Sequence, residues 1–140
     1  MSSMIVSFTG KYRFLSNFFE SEITYDGILY NNAEAAFQAQ KLERPSDRYI
    51  FTRLGAHEAK KMGRRVRLRS DWEEVKDHFM YGIVMTKFAC NPDLKAKLLD
   101  TGDEDLEEGN TWGDKYWGTV NGIGKNILGK LLMRIRSELR

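Results

Sequence analysis

Near its start this chain carries its hydrophobic residues in short runs, and afterwards in helical stripes. Ile5–Phe8 is brief and apolar, and ITYDGILY (Ile23–Tyr30) is two runs around Asp26-Gly27. That dipeptide between strand-like runs predicts a type I′ hairpin. After Asn31-Asn32 the pattern turns helical, because AEAAFQAQKL is rich in alanine and strong helix formers, and Arg44-Pro45 ends it. Ser46 or Asp47 is placed to cap a helix through about Leu54, and HEAKKM predicts a short helix stopped by Gly63 as a C-terminal glycine. The clearest helix follows. Ser70 and Glu73 read as a capping box, and Trp72, Val75, Phe79, Ile83 and Thr86 recur at steps of three and four, marking one buried face. Asn91-Pro92 stops that helix, and Leu94–Leu99 adds a short one closed by Thr101-Gly102. Finally NILGKLLMRIRSEL sets Ile127, Leu128, Leu131, Leu132 and Ile135 on one side, while Lys130, Arg134, Arg136 and Arg140 suit a helix C-terminus. The sum is an α+β fold: a helix-dominated single domain over residues 1–140, with a small antiparallel β element near the N-terminus.

Composition narrows the function classes. A chain of 140 residues, 41% hydrophobic and 30% charged, has the make-up of a soluble globular domain with a real core. No apolar run approaches the roughly 18–20 residues that cross a bilayer, so no membrane partner is expected. MSSMIVSF lacks the basic region and apolar length of a secretory signal. The lone cysteine, Cys90, excludes an internal disulfide framework and points to a reducing compartment, the cytoplasm by default. It has no obvious activating partner and reads as a small buried hydrophobe. With only His57, His78 and Cys90 available, no close-spaced zinc pattern can be written, and no metal or cofactor is called for.

Net charge is +2, which says little, but its distribution says more. Six of the ten residues from Lys60 to Arg69 are basic, and Asp100–Glu108 carries the opposite bias. A basic stretch of that density attracts phosphates, or else forms a solvated face with its arginines paired to nearby glutamates.

Three stretches hold groups suited to chemistry. In AEAAFQAQK, Glu34, Gln38 and Lys41 are spaced i, i+4, i+7 and so share one helix face. They line a pocket, or Glu34 is the acidic half of a capping box with Asn31 and Lys41 faces water. EEGNTWGDKYWG (Glu107–Gly118) sets acids and large rings on glycine-rich, irregular backbone. Trp112, Tyr116 and Trp117 offer flat faces to a base or sugar, and Asp114 and Glu108 offer an acid, a base or a cation stabiliser. The opposite reading is a surface loop pinned by its aromatics. RFLSNFF (Arg13–Phe19) either presents Asn17 and Phe18 to a ligand or turns at Ser16-Asn17 with its rings in the core.

Together these stretches resemble the NADAR family of YbiA-like N-glycosidases. The likeness runs in family order through FLSNF (Phe14–Phe18), AEAAFQAQK (Ala33–Lys41), EAKKMGRRVRLRSDWEEVK (Glu58–Lys76), KFACNPDLKAKLLDTG (Lys87–Gly102), LEEGNTWGDKYWG (Leu106–Gly118) and GKNILGKLLMRIR (Gly124–Arg136). It implies a hydrolase acting on N-glycosyl bonds, with a ribosyl substrate. That substrate is a phosphoribosylaminopyrimidine intermediate of riboflavin biosynthesis, or ADP-ribose attached to a guanine base. Glu34 and Lys41 then match the glutamate and lysine of the helical motif. Glu108 matches the acid before Gly-Asn, and Asp114, Trp117 and Gly118 match the D-x-x-W-G element. The commonest helical form looks like S-x-E-H, and here Asn32 and Ala35 stand for the serine and histidine. The resemblance also implies that Lys41 attacks C1 of the ring-opened sugar as a Schiff-base amine, and makes Arg64, Arg65 and Arg67 candidates for the substrate phosphate. VRLR looks like a short extended piece, so its arginines would alternate sides. The alternatives from another class are a non-catalytic module that binds nucleotide or nucleic acid through residues 60–69, and an ADP-ribose reader that keeps the pocket without the chemistry.

Overall fold

The structure is a computed structural model that describes residues 3–140. In chain order it contains β1 (Met4–Ile5), a 3-10 helix (Gly10–Leu15), β2 (Glu20–Tyr25), β3 (Ile28–Asn32), α1 (Ala33–Ala39), a second 3-10 helix (Pro45–Phe51), α2 (Ala56–Gly63), α3 (Trp72–Ala89), α4 (Pro92–Asp100), β4 (Asp105–Leu106) and α5 (Ile127–Leu139). Contacts divide the chain into two compact units, one of them Asn17–Lys87 and the other its two flanking stretches.

In the unit formed by Asn17–Lys87, β2 and β3 make the expected hairpin. Asp26 and Gly27 both take positive φ, 50° and 79°, as a type I′ turn requires. Ile23 faces Tyr30 and Tyr25 faces Ile28, while an irregularity before Ile23 shifts the pairing at Glu20. Ile23, Ile28 and Tyr30 are buried and Leu29 is exposed, the alternation of a half-covered sheet. Burial pushes the Tyr30 phenol up to about 12. α1 starts where Asn32 accepts a hydrogen bond from the Ala35 amide at 2.8 Å. All seven of its residues are buried, and alanine at four of them lets it lie close to α2, β3 and the second 3-10 helix.

Three local expectations need correction. The helix expected from Ser46 or Asp47 to Leu54 is the 3-10 helix Pro45–Phe51, with Arg44 at the cap position and proline in its first turn. α3 begins at Trp72, two residues past the proposed Ser70 cap: the Asp71 carbonyl accepts from Glu74 and Val75, while the Asp71 carboxylate takes a bidentate Arg69. Its buried positions are Trp72, Met80, Ile83, Val84, Lys87 and Phe88, with Val75, Phe79 and Thr86 only half-buried.

In the flanking unit, β1 pairs parallel with β4, Met4 to Asp105 and Ile5 to Leu106. α5 packs on β4 and α4, burying Leu128, Leu132 and Ile135 with Leu106 and Leu98. Arg136 lies in the last turn of that helix, as expected; it is buried and donates to Thr101 Oγ1 at 2.9 Å, closing α4 onto α5. Cys90 is exposed, not the buried hydrophobe anticipated, because it follows the last turn of α3. Among the described residues no helix is long and apolar enough to cross a membrane.

Candidate active site

The candidate residues fall into two groups, one in each unit. The first is built on α1. The main-chain carbonyl of Asn17 accepts from the Glu34 amide at 3.1 Å, which ties the RFLSNFF segment to the first turn of the helix. The Asn17 side chain is buried and donates to Met80 Sδ at 3.2 Å, so Asn17 faces inward. Phe18 lies edge-on to His57 with ring centroids 4.9 Å apart, and Lys60 Nζ stands 5.8 Å from the Phe18 centroid.

Glu34, Gln38 and Lys41 do lie along one face. Glu34 is only 8% exposed, and Gln38 Nε2 donates to its Oε1 at 2.8 Å. The carboxylate is thus tethered by its helix neighbour rather than capping the helix, and Asn32, not Asn31, is the cap. Lys41 is half-buried; its Nζ donates to the Gly63 carbonyl at 3.2 Å and stands 5.9 Å from the Trp72 ring centroid. Burial pushes the Lys41 amine below the usual lysine range; the Glu34 charge opposes that and the Arg64 charge adds to it. Burial prevails.

Gly63 has a different task from the one expected. It ends α2 without leaving helical φ, and a Cβ built on it would stand 2.6 Å from Gln38 Cδ. Its lack of a side chain makes room for Gln38 beside Glu34. Arg64 and Arg65 form a turn and Arg67 sits on irregular backbone, so the extended piece expected at VRLR is not a strand. Arg69 pairs with Asp71 at 2.6 Å, whereas Arg64, Arg65 and Arg67 are exposed and make no ion pair among the described residues.

The second group is a loop ordered by its own polar groups. Asn110 is its hub: Nδ2 donates to the Asp114 carbonyl at 2.8 Å and to Glu108 Oε2 at 3.0 Å, while Oδ1 accepts from the Asp114 amide at 3.0 Å. Asp114 Oδ1 then accepts from the Tyr116 and Trp117 amides at 3.0 and 2.9 Å. That fixes the turn bearing Trp117, whose ring meets Tyr116 edge-on with centroids 4.9 Å apart. Gly118 lies against the Glu108 carboxylate and main chain, where any Cβ would overlap both. From α5's cap, Asn126 Oδ1 accepts from the Glu108 amide at 2.9 Å and its Nδ2 donates to the Leu106 carbonyl at 2.9 Å. Trp112, at 61% exposed, points to solvent. Sequence reading missed Asn110 and Asn126 as organisers; the signal for Asn110 was an asparagine four residues before an aspartate on glycine-rich backbone.

The NADAR domain model matches residues 7–140. The chain belongs to the NADAR family. It is 36% identical over 152 residues to N-glycosidase YbiA of Shigella boydii, covering 99% of this chain and 91% of that protein. An N-glycosidase of Nostoc punctiforme is 38% identical over 136 residues, covering 92% and 86%. A riboflavin biosynthesis protein of Vibrio vulnificus is 35% identical over 132 residues, 91% of this chain but 35% of that longer protein. The NMR structure of Escherichia coli YbiA superposes with a TM-score of 0.86 at 37% identity, covering 99% of this chain and 86% of that one. The fold is thus the helix-dominated α+β fold of YbiA, with small sheets. Within this NADAR chain Asn32, at the position where the resemblance leads one to expect serine, caps the helix through the Ala35 amide.

Proposed function

We propose that this member of the YbiA-like N-glycosidase family hydrolyses the bond between C1 of a ribose and a base nitrogen, on a phosphoribosylaminopyrimidine or on ADP-ribosylated guanine. The single observation that carries this reading is the pairing of a buried, amide-tethered carboxylate (Glu34) with a lysine whose amine burial has depressed (Lys41). Cleaving the C1–N bond builds positive charge on the sugar, which a buried carboxylate stabilises well because little water screens it. Lys41 serves as the amine nucleophile. Its nitrogen bonds to C1 as the bond to the base breaks, and the base leaves with one proton of the amine. The C1–O4 bond of the resulting glycosylamine then breaks, O4 taking the remaining N–H proton, to give the ring-opened imine. Water then hydrolyses the imine, returning the free amine and releasing the sugar. A depressed pKa supplies the unprotonated amine this needs.

In this reading Asn17, held inward, positions Phe18 for the sugar, and the family motif assigns Trp117 to substrate binding. Gly118 lets the Glu108 carboxylate lie against the backbone, and Asp114 and Glu108 supply further carboxylate charge. Arg64, Arg65 and Arg67 meet the substrate phosphate, and the Arg64 charge adds to the lowering of the Lys41 amine. The test is incubation of the purified protein with both substrate classes, following release of reducing sugar. Glu34→Ala, Lys41→Ala and Asp114→Ala proteins that retain the fold should lose turnover. Full activity in all three overturns the reading.

A further inference from the structure

Beside α1, a cleft of about 690 Å³ opens between residues 42–47 and residues 67–70. Two arginines build its walls. Arg48, only 6% exposed, donates through Nε to the Leu42 carbonyl at 3.0 Å and through Nη2 to that of Glu43 at 3.4 Å, fixing one wall. Arg69 fixes the other: its amide donates to the Lys41 carbonyl at 3.0 Å, its Nη1 to that of Gln40 at 3.5 Å, and its guanidinium takes Asp71 bidentately. Two further arginines, Arg44 and Arg67, line the cleft, are exposed, and make no ion pair among the described residues. The cleft also holds two carboxylates, Glu43 and Asp47, and the half-exposed Leu68.

We propose that this cleft is a binding site for a nucleoside monophosphate, with its phosphate between Arg44 and Arg67. Guanidinium forks match phosphate oxygens in pairs, and walls already tied down by Arg48 and Arg69 need little ordering when a ligand enters. The volume is that of a small-molecule site and far exceeds a bare phosphate. Glu43 and Asp47 repel a free anion but accept hydrogen bonds from ribose hydroxyls or a base amino edge, and Leu68 gives the ring system an apolar surface. Mixed charge beside an exposed leucine side chain therefore favours a nucleotide over a simple phosphate. This refines the phosphate role given to Arg67 above and needs no turnover, so loss of binding and loss of hydrolysis are separate results.

The experiment is calorimetric titration of the full chain with AMP, adenosine, inorganic phosphate and a short single-stranded RNA. AMP should bind saturably, with adenosine and phosphate each at least about tenfold weaker. Arg44→Ala with Arg67→Ala should weaken AMP by about tenfold or more, and Arg44→Lys with Arg67→Lys by less, since charge survives without the fork. Glu43→Gln with Asp47→Asn should narrow the preference for AMP over phosphate. Arg53→Ala, an exposed arginine outside the cleft, should leave AMP binding unchanged, and thermal unfolding checks that each variant folds. AMP binding no tighter than phosphate, or undiminished in the double alanine variant, overturns the proposal. So does tight, salt-sensitive RNA binding that AMP fails to displace, because that result assigns the arginines to a strand.

Discussion

Gln38 donates its side-chain amide to Glu34 over 2.8 Å, and it fits there because Gly63 has no side chain to exclude it. A carboxylate 8% exposed on a helix of alanines has few ways to be satisfied, and this amide is one of them.

Gly63→Ala should therefore uncouple helix preference from function. Alanine favours the helix by up to about 1 kcal/mol. The added methyl overlaps the end of the buried Gln38 side chain, which must shift to make room, and overpacking of this kind costs about 1–3 kcal/mol. We expect a small net loss of stability and a fall in kcat of about tenfold or more, as the amide leaves Glu34. Urea unfolding and steady-state kinetics on one preparation decide it; wild-type kcat would mean Gln38 does not matter to Glu34.

Lys41 gives a second prediction, on pH. Its amine lies below the usual lysine range because burial outweighs the pull of Glu34, with Arg64 assisting. Activity that needs the neutral amine rises with pH through that depressed pKa. Arg64→Gln removes a charge that disfavours the ammonium, so the rise should move to higher pH. Glu34→Gln removes the opposing charge and should move Lys41 to lower pH. Because Glu34 also has its own part in turnover, the second shift is best read by borohydride trapping of the lysine–sugar imine across pH. Shifts of the opposite sign would reverse the electrostatic account.

Much of this was legible before any coordinates. The Asp26-Gly27 turn, the alanine-rich helix and its polar stripe, and the amphipathic C-terminal helix are all local, set by periodicity and turn chemistry within a few residues. What was missed depends on distant partners. The pairing of β1 with β4 joins residues some hundred positions apart, and Met4–Ile5 and Asp105–Leu106 are too short to announce a strand. Arg136 was placed correctly near a helix C-terminus, but nothing local shows that it is buried against Thr101. Gly63 looked like a helix stop because glycine commonly is one, and only the position of Gln38 reveals the steric reason. In the loop, acids beside rings suggested chemistry, but not that one oxygen of Asp114 already holds two amides.

That double role makes Asp114 testable in two steps. Asn at this position keeps an oxygen acceptor for the Tyr116 and Trp117 amides but loses the charge, whereas Ala loses both. Hydrogen bonds to a charged acceptor contribute about 1.5–3 kcal/mol, so Asp114→Ala should be clearly destabilised and Asp114→Asn much less so. If the carboxylate also works on the substrate, Asp114→Asn should still lose about tenfold or more in kcat. An Asn variant with full activity and an inactive Ala variant would restrict Asp114 to holding the loop.

Lys87 carries the last prediction. It is 3% exposed on α3, its Nζ stands 5.7 Å from the Phe19 ring centroid, and burial pulls its amine down to about 7 from 10.5. Between those values the unfolded chain holds a proton that the native chain has released. Stability from this group therefore rises with pH, by up to about 1.4 kcal/mol per pH unit, from about 7 until the unfolded lysine also titrates. Below 7 both states are protonated, and the native state bears the full cost of a buried ammonium. Lys87→Met keeps the length and apolar stem without the charge, so it should stabilise the protein at pH 7 or below. Its advantage over wild type should shrink steadily as pH rises toward 10. Urea midpoints for both proteins across that range measure the difference directly, and other lysines and tyrosines that titrate there are common to both and cancel. An advantage that stays constant with pH would show that the buried Lys87 remains charged throughout, held by compensation that burial alone does not describe.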